Sequence, residues 1–533
     1  MESQQKTTDS GQRPVKNVLI VGGGTAGWLT AAFLARTLGT SGPDGVCVTL
    51  VESPEIGIIG VGEGTFPSIR GTLAAIGIDE ARFISACNAT FKQGVKFVDW
   101  VRPHGAPGHE HYFHPFSMPS QRAGGPELLP YWLQGAAGAG TPFAAAATMQ
   151  KRVADAAHAP KRTGEPDFTG AFNYAYHFDA VRFAALLCTH AQSLGVRRVQ
   201  ATVERVELDA DGAIAAVVTQ DGQDGGRLTA DLYIDCSGFR ARLIGEALGT
   251  PFKAIDDVLF VDRALALQVP YDQPDAPIAS YTISTAHEAG WTWDIGLHGR
   301  RGTGYVYSSR HTSDERAEQV LRDYIGPASA GLTPRLLKLN VGYRETHWVK
   351  NCVAVGLSGG FLEPLESSGI GLIETAAYLV SYLFPRNGDL APTARLYNEL
   401  MKARYERIVD FVKMHYCLTQ RTDSQFWIDN ADPASIPATL RDKLAMWRSR
   451  PPHRLDFVID LEMYPPASWQ YVLYGMEFRT SAGAAALPRT ADARAEFQMI
   501  AQLSQRAVAD MPTHRALVEH YRARHAAQAR RAA

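Results

Sequence analysis

Cysteine is scarce in this chain of 533 residues: the six thiols, Cys47, Cys87, Cys188, Cys236, Cys352 and Cys417, are scattered, and no two form a CxxC pair. That distribution excludes a disulfide framework and a thiolate metal site, and fits buried thiols in a reducing cytoplasm. Neither sign of charge dominates, since 53 Lys and Arg face 55 Asp and Glu, so there is no basic field to hold nucleic acid. No apolar run approaches the roughly 20 residues that a membrane span needs. The opening MESQQKTTDSGQRP is polar and lacks the apolar stretch of a signal peptide. The expectation is a cytoplasmic protein with neither a membrane nor a nucleic acid as partner. At this length one simple core is too small, and two intimately packed domains are expected.

What is present begins with VLIVGGGTAG at 18–27. Four apolar residues predict a short strand, and Gly22, Gly24 and Gly27 follow with GxGxxG spacing before a helix-forming run. The first glycine permits a tight turn, the second lets the backbone approach a pyrophosphate, and the third lets helix and strand pack closely. A second strand at 46–51 ends in Glu52, placed to accept hydrogen bonds from an adenosine ribose. A later strand, 228–234, leads into DCSGFRARLI and the Gly238 turn, resembling a second place where FAD folds meet their cofactor. No further GxGxxG for NAD occurs downstream, so these features favour FAD.

The expected fold is α/β: an FAD-binding, Rossmann-like core of the flavin monooxygenase type, an additional sheet and a mainly helical C-terminal part. Residues 1–16 are expected to be a disordered tail, 17–392 the core with substrate-side insertions at about 103–170 and 264–345, and 393–533 the helical part. A glycine-rich loop at 53–71, with glycines at 57, 60, 62, 64 and 71, suggests backbone lying against a flat ligand. A helix is predicted over 72–83, a strand over FKQGVKFVDW at 91–100, a helix over 178–194, and strands over 199–208 and 213–219 joined by a turn at Asp211 and Gly212.

Residues 103–170 lose periodicity, and His104, His109, His111 and His114 lie among Gly, Pro and aromatics. Their spacing lacks helical metal-site logic and no cysteine accompanies them, so a polar, aromatic cover over a substrate cavity is expected in place of a metal. Strands are predicted at 264–269, 281–297 and 304–308, and period 2 puts Trp291 and Trp293 on one face as core or wall. A strand at 353–357 leads through GGFLEPLESSGIGL into a helix, where Ser367, Ser368 and Gly369 place amides at the helix start, a seat for a small anion. The alanine-rich tail after Val518 reads as a frayed helix.

These residues resemble the flavin-dependent tryptophan halogenases. The resemblance rests on GGGTAGW (22–28), VGEGTFP (61–67), FKQGVKFVDW (91–100), DCSGFR (235–240), WTWDIG (291–296), GTGYVYSS (302–309), FLEPLESSGI (361–370) and HYCLTQRTDSQFW (415–427), in family order. It implies that FADH2, delivered by a separate flavin reductase, uses oxygen to convert chloride or bromide into hypohalous acid. That oxidant travels through a tunnel to an electron-rich aromatic such as tryptophan, indole or an indole derivative. By the same resemblance Gly22, Gly24, Thr25, Ala26, Gly27 and Glu52 hold the ADP half of FAD, Val203 meets the adenine, and Leu357 and Ile370 line the flavin. Ser368 and Gly369 offer amides to the halide, Glu366 polarises the oxidant or takes the ring proton, and Ser367 stands beside it. Trp469 is a candidate wall for the indole.

Two departures accompany the resemblance. The lysine that relatives carry four residues beyond the proline of the GEATxP segment is Gly71 here, so Arg70 is expected to stand in for it; Lys92 and Lys96 match accompanying lysines. Gly296 replaces the family's proline and is expected to loosen the strand end and widen the substrate side. A flavin monooxygenase that hydroxylates an aromatic and a flavin-binding protein without catalysis remain alternatives, and a homodimer is left open.

Overall fold

The computed structural model describes residues 13–57, 62–220, 226–481 and 487–532. Residues 1–12 of the expected tail and Gly60 of the glycine-rich loop lie outside them. The tail ends earlier than expected, because Val15 is buried and the amides of Lys16 and Asn17 both donate to Asp231 Oδ2, at 2.9 and 2.8 Å.

The apolar run after Asn17 forms the strand Asn17–Val21, which lies inside a six-stranded sheet. It runs parallel to Cys47–Glu52 on one side and to Leu232–Asp235 on the other. Arg197–Gln200 and Cys352–Ala354 extend the parallel set, and Trp348–Val349 closes one edge antiparallel. Central parallel strands are covered on both faces, which is why their sequences read as continuous apolar runs. The helix Thr25–Leu38 follows the first strand and packs against Ala180–Ser193 and Ser368–Tyr382.

The additional sheet has seven strands in the order Arg335–Lys338, Arg263–Pro270, Arg300–Tyr307, Gly290–Gly296, Thr282–His287, Gly94–Val98 and His111–Pro115. The single strand expected over 91–100 is divided. Thr90–Lys92 pairs with Ala175–Phe178 in a separate three-stranded sheet, and only Gly94–Val98 joins the seven. Gln93 makes the step between them: its Nε2 donates to His158 O and Ser280 Oγ, both at 2.8 Å, so a buried amide side chain pins the change of direction.

Other boundaries also moved. The helix expected over 72–83 is two, Ile69–Ile76 and Glu80–Ala86, because Gly77 takes φ 84° at the end of the first and Asp79 caps the second. The strand expected over 199–208 splits at Ala201 into Arg197–Gln200 and Val203–Leu208, which belong to different sheets. The 103–170 stretch contains the strand His111–Pro115 and the short helices Leu128–Leu133, Phe143–Ala147 and Gln150–Asp155, so much of it is built structure.

The C-terminal part is helical as expected, led by Leu390–Cys417 and Pro466–Gly475. Its last helix, His514–Ala532, is not frayed at its start: Leu517, Val518 and Tyr521 are buried. Phe91 N donates to His514 Nε2 at 2.8 Å, and the ring's other nitrogen, Nδ1, donates to Ile278 O at 3.0 Å. Apolar residues of the first strand and of the C-terminal helices belong to one hydrophobic cluster. Among the described residues no helix is long and apolar enough to cross a membrane.

Candidate active site

The glycine turn is built by close approach. Gly22 has φ 115°, and the carbonyl of Cys236 occupies the space a Cβ would need. At Gly27 the obstacle is the carbonyl of Gly22, whereas Gly24 faces open space. Gly24 caps the helix Thr25–Leu38 without a side-chain bond and no acid lies in the first turn, so the amides of Thr25, Ala26 and Gly27 are free to face an anion. Glu52, at the end of its strand, folds over Gly23 and accepts from Arg198 Nε at 2.6 Å and Trp28 Nε1 at 3.2 Å. Ala26 meets Gly356 of the turn that carries Leu357. Val203 opens a strand whose first carbonyl accepts from Arg242 Nη2 at 3.0 Å. An uncapped helix start behind an open glycine is a fit for the pyrophosphate of a dinucleotide. Asp235 of the DCSGFR segment has a different duty, because its carboxylate accepts from the amides of Ser237, Leu243 and Ile244 and holds the turn.

The second glycine-rich turn is strained. Glu363, Glu366 and Ser367 have φ of 136°, 61° and 58°, conformations that cost on the order of 1–3 kcal/mol each and cluster at functional sites. Ser367 precedes the helix Ser368–Tyr382 but does not cap it, since its Oγ accepts from Lys92 Nζ at 2.8 Å. Gly64 packs behind this pair, with a built Cβ 2.9 Å from Ser367 Oγ and 3.2 Å from Lys92 Nζ. No side chain caps the helix, no acid lies in its first turn, and Gly369 faces open space. Such an end attracts a small anion.

Glu366 lies beside that end with a fully buried side chain. His114 Nδ1 is 2.7 Å from its Oε1, and His415 Nε2 is 3.4 Å from the same oxygen. Oε2 is buried and has no partner, as are His114 Nε2 and His415 Nε2. Orphaned buried atoms of this kind ask for a bound molecule. Burial pushes the Glu366 carboxyl up, but His114, His415 and Lys92 outweigh it and hold it below the ordinary range. Burial takes the Lys92 ammonium down to about 8 against the opposing pull of Glu366. Around these groups stand Phe116, whose ring lies 5.3 Å from Lys92 Nζ, Phe66, and Tyr464 stacked 4.0 Å from Phe411. The Tyr464 hydroxyl donates to Glu366 O at 3.3 Å.

The structure corrects the assignment of Arg70. Its guanidinium donates to Phe168 O and Asn173 Oδ1 and lies 4.5 Å over the ring of Tyr174, so its charge is committed there. Lys92 is the cation at Glu366 and Ser367, brought in by the short strand Thr90–Lys92. Lys96 is turned instead to Asp155 and Tyr281. Trp469 is fully buried beside Phe411, Trp447 and Phe457, with its indole Nε1 another buried donor without a partner, while Tyr464 is the aromatic that reaches the Glu366 backbone. Gly296 does not widen a cavity, because a built Cβ there would be 2.7 Å from Ile278 Cγ2 and 2.9 Å from Tyr271 Oη.

Trp291 and Trp293 share a buried face as period 2 predicts, and Trp291 Nε1 donates to Tyr416, whose hydroxyl donates to Glu363. Of the four histidines only His114 reaches the site, and among the described residues no group of three or more His, Cys, Asp and Glu could hold a metal. His114, His415 and Tyr464 were missed from sequence. The first was masked by its three neighbours, although its place one residue before Pro115 on an aromatic-rich strand separates it from them. Two surface hollows, one lined by Arg421, Ile428 and Pro433 and the other by Leu38, Pro43 and Arg386, share no residue with this cluster.

Residues 17–492 match the family model described as Tryptophan halogenase. Tryptophan 6-halogenase SttH of Streptomyces toxytricini is 38% identical over 478 residues, covering 86% of this chain and 88% of the relative. The crystal structure of a tryptophan halogenase from Shewanella frigidimarina superposes with a TM-score of 0.91 at 39% identity, over 96% of this chain and 98% of that one. A flavin-dependent halogenase from Xanthomonas campestris does so with a TM-score of 0.85 at 35% identity, over 96% and 99%.

Proposed function

Since the chain belongs to the tryptophan halogenase family and is a flavin-dependent halogenase, we propose that it places chlorine or bromine on an electron-rich aromatic of the indole class, with Glu366 and Lys92 as its catalytic residues. The observation that carries this reading is the buried cluster at one helix start: a carboxylate with one oxygen free, an ammonium 2.8 Å from Ser367, and a helix end at Ser368 and Gly369 that no side chain caps.

FAD would lie with its pyrophosphate over Gly24 and the amides of Thr25 to Gly27, its ribose toward Glu52, its adenine near Val203, and its ring against Leu357 and Ile370. When bound and reduced, it supplies with oxygen the oxidising equivalent that turns a halide into hypohalous acid. The amides of Ser368 and Gly369 hold the halide. Lys92, a buried ammonium, donates a hydrogen bond to the hypohalous oxygen and makes the halogen more electrophilic, a role for which a fixed charge in a dry site is well suited. Glu366 takes the proton that the ring loses as it regains aromaticity. Phe116, Phe66 and Tyr464 give the aromatic acceptor faces to stack against. A separate flavin reductase delivers the FADH2.

The test is a reaction of the chain with FAD, NADH, a flavin reductase, oxygen and bromide over a panel of indoles and phenols, followed by mass spectrometry. Products carrying the bromine isotope doublet are expected. Products that gain oxygen and no bromine would replace this reading with hydroxylation.

A further inference from the structure

Glu366 is held by more than one imidazole, and the second belongs to a chain of its own. His415, on the helix Leu390–Cys417, sits with Nε2 3.4 Å from Glu366 Oε1 and Nδ1 2.7 Å from the hydroxyl of Tyr112. All three side chains are buried. The His415 ring is fixed by Phe97, 4.6 Å away, and by Phe411 at 5.4 Å. Tyr112 stacks on Phe97 at 4.6 Å and lies on the strand His111–Pro115, two residues before His114.

We propose that Tyr112 and His415 are positioning residues that hold Glu366 Oε1, leaving Oε2 as the atom that receives the substrate proton. The inference rests on the halogenase reading above for its chemistry and on the geometry alone for the arrangement. In this arrangement the Tyr112 hydroxyl donates to Nδ1, which puts the ring hydrogen on Nε2, facing the carboxylate across 3.4 Å. Burial keeps His415 neutral, with its pKa pulled to about 3, and pushes the Tyr112 hydroxyl well up, so this tautomer holds across the working range. Oε1 then faces two imidazoles and Oε2 none. In the step itself the ring C–H proton passes to Oε2 while the electron pair of that bond restores the aromatic ring.

The charged and titratable groups facing Glu366 are His114 from its strand, Lys92 from Thr90–Lys92, His415 from the long helix and Tyr464 from the segment before Pro466–Gly475. Removing His415 removes an electrostatic contribution that favours the ionised form, so the carboxyl pKa rises.

The experiment compares wild type, H415F, H415N and Y112F. The Glu366 carboxyl stretch, identified as the infrared band lost in E366Q, is titrated in the protein without flavin, and the acid limb of kcat is measured with bromide, FAD and reductase. In H415F both the band and the limb are expected to move to higher pH by about one unit, a tenfold change in proton affinity. H415N, whose amide still donates, is expected to recover most of that shift, and Y112F to move the band in the same direction by less. An unmoved band and limb in H415F overturn the inference. If H415F does not fold, an unmoved band in Y112F does so. A band that moves in a protein that halogenates nothing upholds the arrangement and rejects the halogenase reading instead.

Discussion

Lys92 carries its charge where almost no water reaches it, and that sets a pH signature. A lysine whose folded pKa has fallen to about 8 loses its ammonium just above neutrality. If the ammonium is the donor to the oxidant, kcat should decline through an alkaline limb near pH 8, and the residual rate of K92M should lack it. Stability moves the other way. Between pH 8 and the unfolded value of about 10.4 the unfolded chain binds the additional proton, so resistance to denaturant should rise with pH across that window in wild type and less in K92M. Glu366→Gln keeps the shape and the His114 contact but cannot take a proton. Turnover is expected to fall by about 10² to 10⁴, with FAD affinity by fluorescence nearly unchanged. R70A, by contrast, should halogenate at the wild-type rate, because that guanidinium is bound to Asn173 and Phe168.

The strand Gly290–Gly296 shows how an element can be misjudged from one substitution. A proline replaced by glycine suggests slack, yet Ile278 and Tyr271 fill the space, and Thr90 Oγ1 donates to the Gly296 carbonyl at 2.5 Å. G296A should therefore cost about 1–3 kcal/mol by overpacking, read from chemical denaturation, and should not broaden substrate scope. The same contrast runs through the chain. The strand, glycine turn, helix and following acid at 17–52 were legible, because the parallel strands are short apolar runs and Gly22 and Gly27 answer local steric demands. The turn and helix start at 366–369 were legible from the same kind of pattern. The division at Gln93 was not, since nothing in the alternation of FKQGVKF announces that Ser280 and His158 hold its amide. Lys92 was set aside as an accompanying lysine, and its place at Ser367 follows from the short strand Thr90–Lys92. His415 comes from a long helix whose pattern speaks only of burial and Tyr464 from the bend before Pro466–Gly475, and their approach to Glu366 is a product of packing between elements roughly 50 to 100 residues apart.

The molecule is tied together around Glu80 as much as around its sheets. This buried carboxylate accepts from Lys161 Nζ at 3.0 Å and from the hydroxyls of Tyr174, Tyr176 and Tyr521 at 2.7, 2.5 and 2.9 Å. Its partners come from the stretch after residue 155, from the strand paired with Thr90–Lys92 and from the last helix. E80A would leave the Lys161 charge buried and alone, and is expected to destabilise the fold by about 3–5 kcal/mol in a denaturant titration. His514 adds a second tie of this kind, from the last helix to the amide next to Lys92. During synthesis Phe91 leaves the ribosome more than four hundred residues ahead of the imidazole that will receive its amide hydrogen. A nascent chain thus lacks this tie to the short strand that carries Lys92 until its last helix has emerged.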